Sequence, residues 1–319
     1  MSLTLTDVPG VLVGHATDRE NLTGCTAVLC PGGAVCGVDV RGFAPGSLET
    51  PLLDPVNRVE EAHGLLLTGG SAYGLAAAAG VVRRLTEMGC GLDTLYARIP
   101  LVPGAVIYDL NFNQSRGPGP DLGYQAAAAA SDGPVVQGCV GAGAGATCGK
   151  LAGFDRAMKT GLGSAGARTG ELVVAALAVV NPLGDVLDPD TGETLAGVRT
   201  PDGSALAGAL EVLQNLTSLL QTPPPDNTVL GVVATNARLT KVGAARLARM
   251  ASAGIARAVR PAHLLFDGDV VFSLATGKGP AMDENIVGAL GAEALARAIA
   301  AGARAAEGVP GYPACRDLR

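Results

Sequence analysis

Thr228 opens the apolar run Thr228-Val-Leu-Gly-Val-Val-Ala234, directly behind the connector Gln221-Thr-Pro-Pro-Pro-Asp-Asn227. Three consecutive prolines exclude both helix interior and central strand, so the connector reads as exposed and stiff. A Thr at the first residue of a buried strand, behind such a loop, has the layout of a precursor that cuts itself to free an N-terminal nucleophile. The freed α-amine titrates near about 7.7–8, so at neutral pH it can act as base for its own hydroxyl. The plain alternative is an ordinary loop ending in a β-favouring Thr. Asp267-Gly-Asp269 is the second constellation. On a strand, residues i and i+2 share a face, so both carboxylates would point at one site, orienting the hydroxyl and holding the protonated amine. Asp-Gly is also a common turn pair, which leaves a polar turn open.

Other motifs carry less. Gly141-Ala-Gly-Ala-Gly-Ala146 matches only a relaxed dinucleotide loop and lacks the acidic residue expected ~20 positions on. Gly149-Lys150 fails as a Walker loop, because Ala144 and Leu151 stand where Gly and Ser or Thr belong. What remains is a close-packed turn delivering Lys150, one of only four lysines, to a specific place. Gly70-Ser71 resembles a nucleophile elbow, but Tyr73 breaks the pattern, and Ser71 reads as a helix cap. His15, His63 and His263 sit in no telling context and read as polar residues at strand ends.

Elements must position these groups, and the composition favours a large core. The chain has 319 residues, 48% of them hydrophobic and 16% charged, a net charge of −6, and only 3% aromatics. That argues against a nucleic-acid partner, which needs basic and stacking surface. Seven cysteines without a CxxC pair exclude a disulfide framework or a structural zinc site and predict free thiols. With no signal-peptide pattern and no uninterrupted membrane span, the expected location is the cytoplasm. Apolar runs at Val8–Val13, Cys25–Cys30, Ala34–Val40, Leu65–Thr68, Ala105–Tyr108, Val135–Val140 and Leu172–Val180 predict strands, with a hairpin turn at Asp188–Gly192. Helices are expected after Ser71 and over Ala205–Leu220, Ala244–Val259 and Glu284–Ala306, with a strand at Leu264–Leu274. The class is α/β, with an exposed seam near residue 225.

Four motifs together resemble the self-processing L-aminopeptidase/D-esterase family. They are Asn227-Thr-Val-Leu-Gly-Val-Val-Ala-Thr-Asn236, Phe266-Asp-Gly-Asp269, Thr68-Gly-Gly-Ser-Ala-Tyr-Gly74 and Val102-Pro-Gly-Ala-Val-Ile-Tyr-Asp109. The family includes β-aminopeptidases and the endo-acting nylon-oligomer (6-aminohexanoate oligomer) hydrolase. The resemblance implies a single catalytic domain with a four-layer αββα sandwich of the N-terminal-nucleophile type. It implies self-cleavage between Asn227 and Thr228 into pieces 1–227 and 228–319. Thr228 matches the nucleophile, while Asp267 and Asp269 match the acidic pair of the nylon-oligomer hydrolase, where β-aminopeptidases tend to have Ser and Glu. Lys150, Asn181 and Tyr108 fall where that branch has its supporting Lys, Asn and Tyr.

The expected activity is amide hydrolysis through an acyl-enzyme on Thr228, with Asn181, Tyr108 and a Gly-rich-turn N–H facing the oxyanion. Lys150 would keep the Thr228 amine neutral or hold Asp267. The substrate would be a linear amide or peptide, with nylon-type oligomers among the candidates. No cofactor or metal is required, and a homo-oligomer of αβ units, a tetramer by the family's example, is expected. The rivals are an aminopeptidase, an ornithine-type acetyltransferase, and a non-enzymatic binding module whose chain would stay whole.

Overall fold

The computed structural model describes residues 3–112, 117–215 and 227–318, so residues 221–226 of the Pro-rich connector and the end of the 205–220 helix lie outside the described residues. The apolar runs form strands β1 (Leu12–Asp18), β2 (Thr23–Val40), β3 (Ser47–Leu48), β4 (Glu61–Thr68), β5 (Gly104–Val106), β6 (Leu162–Thr169), β7 (Leu172–Asn181), β8 (Thr228–Thr235) and β9 (Val270–Ala275). They follow one hydrogen-bonded path, β6-β7-β8-β9-β2-β4-β5-β3, with β1 joined to β2. The sequence reads two strands where β2 is one. Its first half pairs with β1 and its second half with β9. Pairing with β4 slips between Leu29 and Ala34, where Pro31 offers no N–H and Gly33 takes φ +78°. There the path bends over itself into two facing layers.

Period-two alternation shows the layering. Along β7, Val173, Ala175, Leu177 and Val179 pack between the layers with Val28, Leu65 and Ile107. Val174, Ala176, Ala178 and Val180 face the other way, onto helices α4 (Lys241–Ala251), α5 (Ala253–Ala258) and α6 (Glu284–Ala305). Cys25, Ala27, Leu29 and Leu66 cover the opposite outer face under α1 (Ala78–Glu87) and α2 (Pro120–Ala128). The result is the expected helix–sheet–sheet–helix sandwich, in which each fully buried Leu or Val contributes about 1.5–3 kcal/mol. Helix α6 is long and apolar enough to cross a membrane, yet Leu295, Ala298 and Ile299 are buried against the sheet. It docks closely because Gly163 and Gly302 meet backbone to backbone.

Several expected elements differ. The run expected as a strand at Val8–Val13 follows a short 3-10 turn, Leu5–Asp7, tied by Thr4 N–H to Asp7, and enters β1 only at Leu12. Val135–Val140 is no strand: Gly138, at φ +98°, makes a single bridge to Leu162. Ser71 is not a helix cap; it lies at φ +51° and opens a 3-10 turn, Ser71–Ala77, before α1. The described part of the 205–220 helix is the short α3 (Ala209–Gln214). The hairpin turn at Asp188–Gly192 does form, between Asp185–Leu187 and Thr194–Ala196. All seven cysteines are free thiols. The strand expected from Leu264 starts only at Val270, because the preceding residues close a turn in which Leu264 N–H donates to Asp267 Oδ2 at 2.7 Å.

Candidate active site

Leu230, Val232 and Ala234 of β8 point between the two sheets, so Thr228 at the strand's start faces the same way, at the rim of the core. The residue is 4% exposed, and its Oγ1 donates to the carbonyl oxygen of Asn227 at 2.5 Å. That carbonyl also accepts from Gly268 N–H at 2.6 Å, while Asn227 N–H donates to Phe266 O at 3.2 Å. Residue 227 thus lies alongside 266–268 as a parallel bridge to Asp267.

The two carboxylates converge here without sharing a strand. Asp269 Oδ1 accepts from Val229 N–H at 2.7 Å, which fixes the start of β8, and its Oδ2 meets His263 Nδ1 at 2.8 Å. Asp267 is 2% exposed, and its Oδ1 has no hydrogen-bond partner among the described residues. Burial, together with the charge of Asp269, pushes the Asp267 carboxyl up to about 7; the Leu264 N–H and the charges of Lys150 and His263 pull the other way. By sequence His263 reads as a polar residue at a strand end. The structure corrects this, and the available signal was its position four to six residues before the acidic pair.

Asn181 ends β7 directly opposite Thr228 in the antiparallel register. Its Oδ1 accepts from Lys150 Nζ at 2.9 Å and Thr147 N–H at 3.0 Å, and Nδ2 donates to the Tyr108 carbonyl at 3.1 Å. Lys150 is buried, also reaches the Asn181 carbonyl at 3.0 Å, and is delivered by a turn whose N–H groups bond Leu183 and Gly184. Tyr108 therefore joins the cluster through its main chain. Behind it Asp109, which the sequence motif contains without a role, accepts from Thr23 Oγ1 and Gly70 N–H, both at 2.7 Å. Burial pushes the Asp109 carboxyl up to about 6. The structure thus gathers Thr228, Asp267, Asp269, Asn181, Lys150 and Tyr108 at one end of the inter-sheet space. A hydroxyl against an amide carbonyl, with a carboxyl poised near neutrality and a lysine–asparagine pair alongside, suits acyl transfer.

A four-layer sandwich with such a site between its sheets defines an N-terminal-nucleophile-type fold, and solved structures share it. The L-aminopeptidase D-Ala-esterase/amidase of Ochrobactrum anthropi, described as a variant of the Ntn hydrolase fold, superposes with a TM-score of 0.70 at 21% identity, covering 98% of this chain and 91% of that one. A Burkholderia sp. β-aminopeptidase gives 0.69 at 22%, covering 96% and 89%. The chain belongs to peptidase family S58, which matches residues 4–315. An uncharacterized aminopeptidase of Mycobacterium tuberculosis (strain ATCC 25618 / H37Rv) is 42% identical, over 99% of this chain and 97% of its own length. The 6-aminohexanoate-oligomer endohydrolase of Kocuria sp. (strain KY2) is 33% identical, over 85% of this chain and 74% of its own length. The family and these relatives make the protein a hydrolase of amide bonds.

Proposed function

We propose that this chain is a self-processing amide hydrolase in which Thr228 first cuts its own peptide bond and then, as the new N-terminus, attacks substrates. The observation that carries this reading is Thr228 Oγ1 lying against the Asn227 carbonyl, beside the acidic pair. In processing, Oγ bonds to the Asn227 carbonyl carbon, the C–N bond breaks, and the Asp267 carboxylate takes the hydroxyl proton and passes it to the departing Thr228 nitrogen. Water then hydrolyses the resulting ester. The freed amine serves as base for the same hydroxyl, which takes up a substrate acyl group and gives it to water. Asn181 Nδ2 offers its second N–H to the substrate oxyanion, the Tyr108 carbonyl orients that amide by accepting the first, and Lys150 holds Asn181 in place while its charge acts on Asp267. Purified protein is expected to run as two bands on a denaturing gel, the smaller beginning Thr-Val-Leu-Gly; an intact chain that hydrolyses amides would sink the mechanism.

Two substrate readings have support. An endo-acting amidase for linear aliphatic amides fits the Thr228 and Asp-x-Asp pattern and the 6-aminohexanoate-oligomer relatives. In that reading Asp267 and Asp269 are occupied with the nucleophile and do not anchor a substrate amine. Amino-terminal cleavage fits the higher identity to a mycobacterial protein named an aminopeptidase. The endo reading predicts cleavage of an amine-blocked 6-aminohexanoate oligomer beside free dipeptide amides and aminoacyl p-nitroanilides. If only free amino termini are accepted, and always at the first bond, the enzyme is an aminopeptidase.

The mature protein is further expected to be an oligomer of αβ units, a tetramer. Supporting this, Leu95 and Tyr96 stand 86% and 93% exposed on a small hairpin, apolar surface that a partner would cover. Light scattering giving a mass near 31.7 kDa, that of one chain, would refute it.

A further inference from the structure

We propose that the main-chain N–H of Gly268 is the oxyanion donor for cleavage of the Asn227–Thr228 bond, and that position 268 is glycine because a side chain there would collide with the nucleophile. The inference rests on the self-processing reading above. Attack by Thr228 Oγ turns the Asn227 carbonyl oxygen into an alkoxide, and that oxygen already accepts from Gly268 N–H at 2.6 Å. A donor in place before charge develops needs no reorganisation when it does. The scissile residue is held on both sides of its Cα by the 266–268 segment, through Asn227 N–H to Phe266 O and Gly268 N–H to Asn227 O. Carboxylates flank the donor, so the N–H between Asp267 and Asp269 offsets a field that would otherwise oppose an oxyanion.

Space, not backbone conformation, requires the glycine. Gly268 lies outside the left-handed region, yet a Cβ on it would stand 2.8 Å from Thr228 Oγ1 and 2.6 Å from Ala44 O. The donor is braced from behind by a strap. Ala44 N–H donates to Asp267 O at 3.0 Å, and the N–H groups of Arg41 and Gly42 donate to Asp269 O at 3.0 and 3.1 Å. Gly42 faces the tripeptide still more closely, since a Cβ there would lie 2.2 Å from Asp269 N, 2.3 Å from Asp267 O and 2.7 Å from the Gly268 carbonyl carbon. A methyl at 42 therefore displaces the donor and leaves Thr228 Oγ1 untouched.

The test follows processing of newly made full-length chains of wild type, Thr228→Ala, Gly268→Ala and Gly42→Ala by pulse–chase and gel, with and without hydroxylamine, alongside thermal melts. Gly268→Ala keeps its N–H and is expected to fold, but to process on the order of 10²-fold more slowly, because its Cβ against Thr228 Oγ1 and Ala44 O moves donor and nucleophile out of register. Hydroxylamine should not release fragments from it, because the ester forms only after the step that needs the donor. Gly42→Ala should slow processing by about 10-fold or more by the same displacement. A folded Gly268→Ala chain that cleaves at the wild-type rate, or that hydroxylamine splits at that rate, overturns the proposal. If Gly268→Ala does not fold, Gly42→Ala decides: a folded chain that is slow supports the role, and one at wild-type rate overturns it. A wild-type chain that stays whole overturns the self-processing reading itself, a result distinct from cleavage in the glycine variants.

Discussion

Thr228→Ala is expected to leave one uncut chain of 31.7 kDa with amide hydrolysis reduced by roughly 10⁴-fold or more. Both losses have one cause. The hydroxyl is the group that touches the Asn227 carbonyl, and the amine that would act as its base exists only after the cut. The variant should fold, because the Thr228 hydroxyl bonds only its own neighbour's carbonyl among the described residues and β8 is held by Val229 N–H on Asp269 and by its registers with β7 and β9. Mass spectrometry of the purified variant and a burst assay on a p-nitroanilide check the two halves separately. Thr228→Ser should restore both, since it keeps the hydroxyl. Full processing in Thr228→Ala would move the nucleophile elsewhere.

Much of the fold was legible in the sequence because its signals are local. In Leu172–Asn181 every residue is buried, and successive side chains serve different layers, which is why the run reads as continuously apolar. Thr228 was legible as the polar head of a similar run. What could not be read depends on distant partners. Pro31 and Gly33 mark an interruption, but that one strand continues through them into a second layer follows only from pairing with β9. Residues 264–269 look like the start of a strand; their hydrogen bonds go instead to an Asp267 turn and to residues 41–44, which sequence periodicity does not report. His263 is illegible from periodicity because its partner, Asp269 Oδ2, is reached through that same turn. Gly268 is the sharpest case. Between two acids it reads as a turn glycine, whereas its neighbours in space are Thr228 Oγ1 and Ala44 O.

Asp267→Asn and Asp269→Asn should each slow processing or turnover by on the order of 10²-fold or more, about 2.7 kcal/mol of barrier. Their pH signatures should differ from that of a simple structural defect. Burial and the Asp269 charge raise the Asp267 carboxyl to about 7, so the basic form that can accept the Thr228 proton is gained as pH rises through about 7. Processing should therefore climb between pH 5 and 8. Stability runs the other way: with its folded value above the unfolded 3.8, this group binds more protons folded than unfolded in that interval. Its stabilising contribution is complete below about 3.8 and is lost as pH rises through about 7. Asp267→Asn keeps an acceptor for Leu264 N–H, cannot ionise, and should abolish the rising limb of the rate while flattening the fall in melting temperature. Asp269→Asn keeps an oxygen for Val229 N–H and turns its NH2 to His263 Nδ1, so the carboxylate that held both is replaced by a neutral amide at the start of β8. It also removes the like charge that raises Asp267, and the remaining limb should move to lower pH. Rate–pH profiles and melts of the three proteins between pH 5 and 8 test this. Near-wild-type rates in both variants, with unchanged profiles, would reduce the acidic pair to a turn.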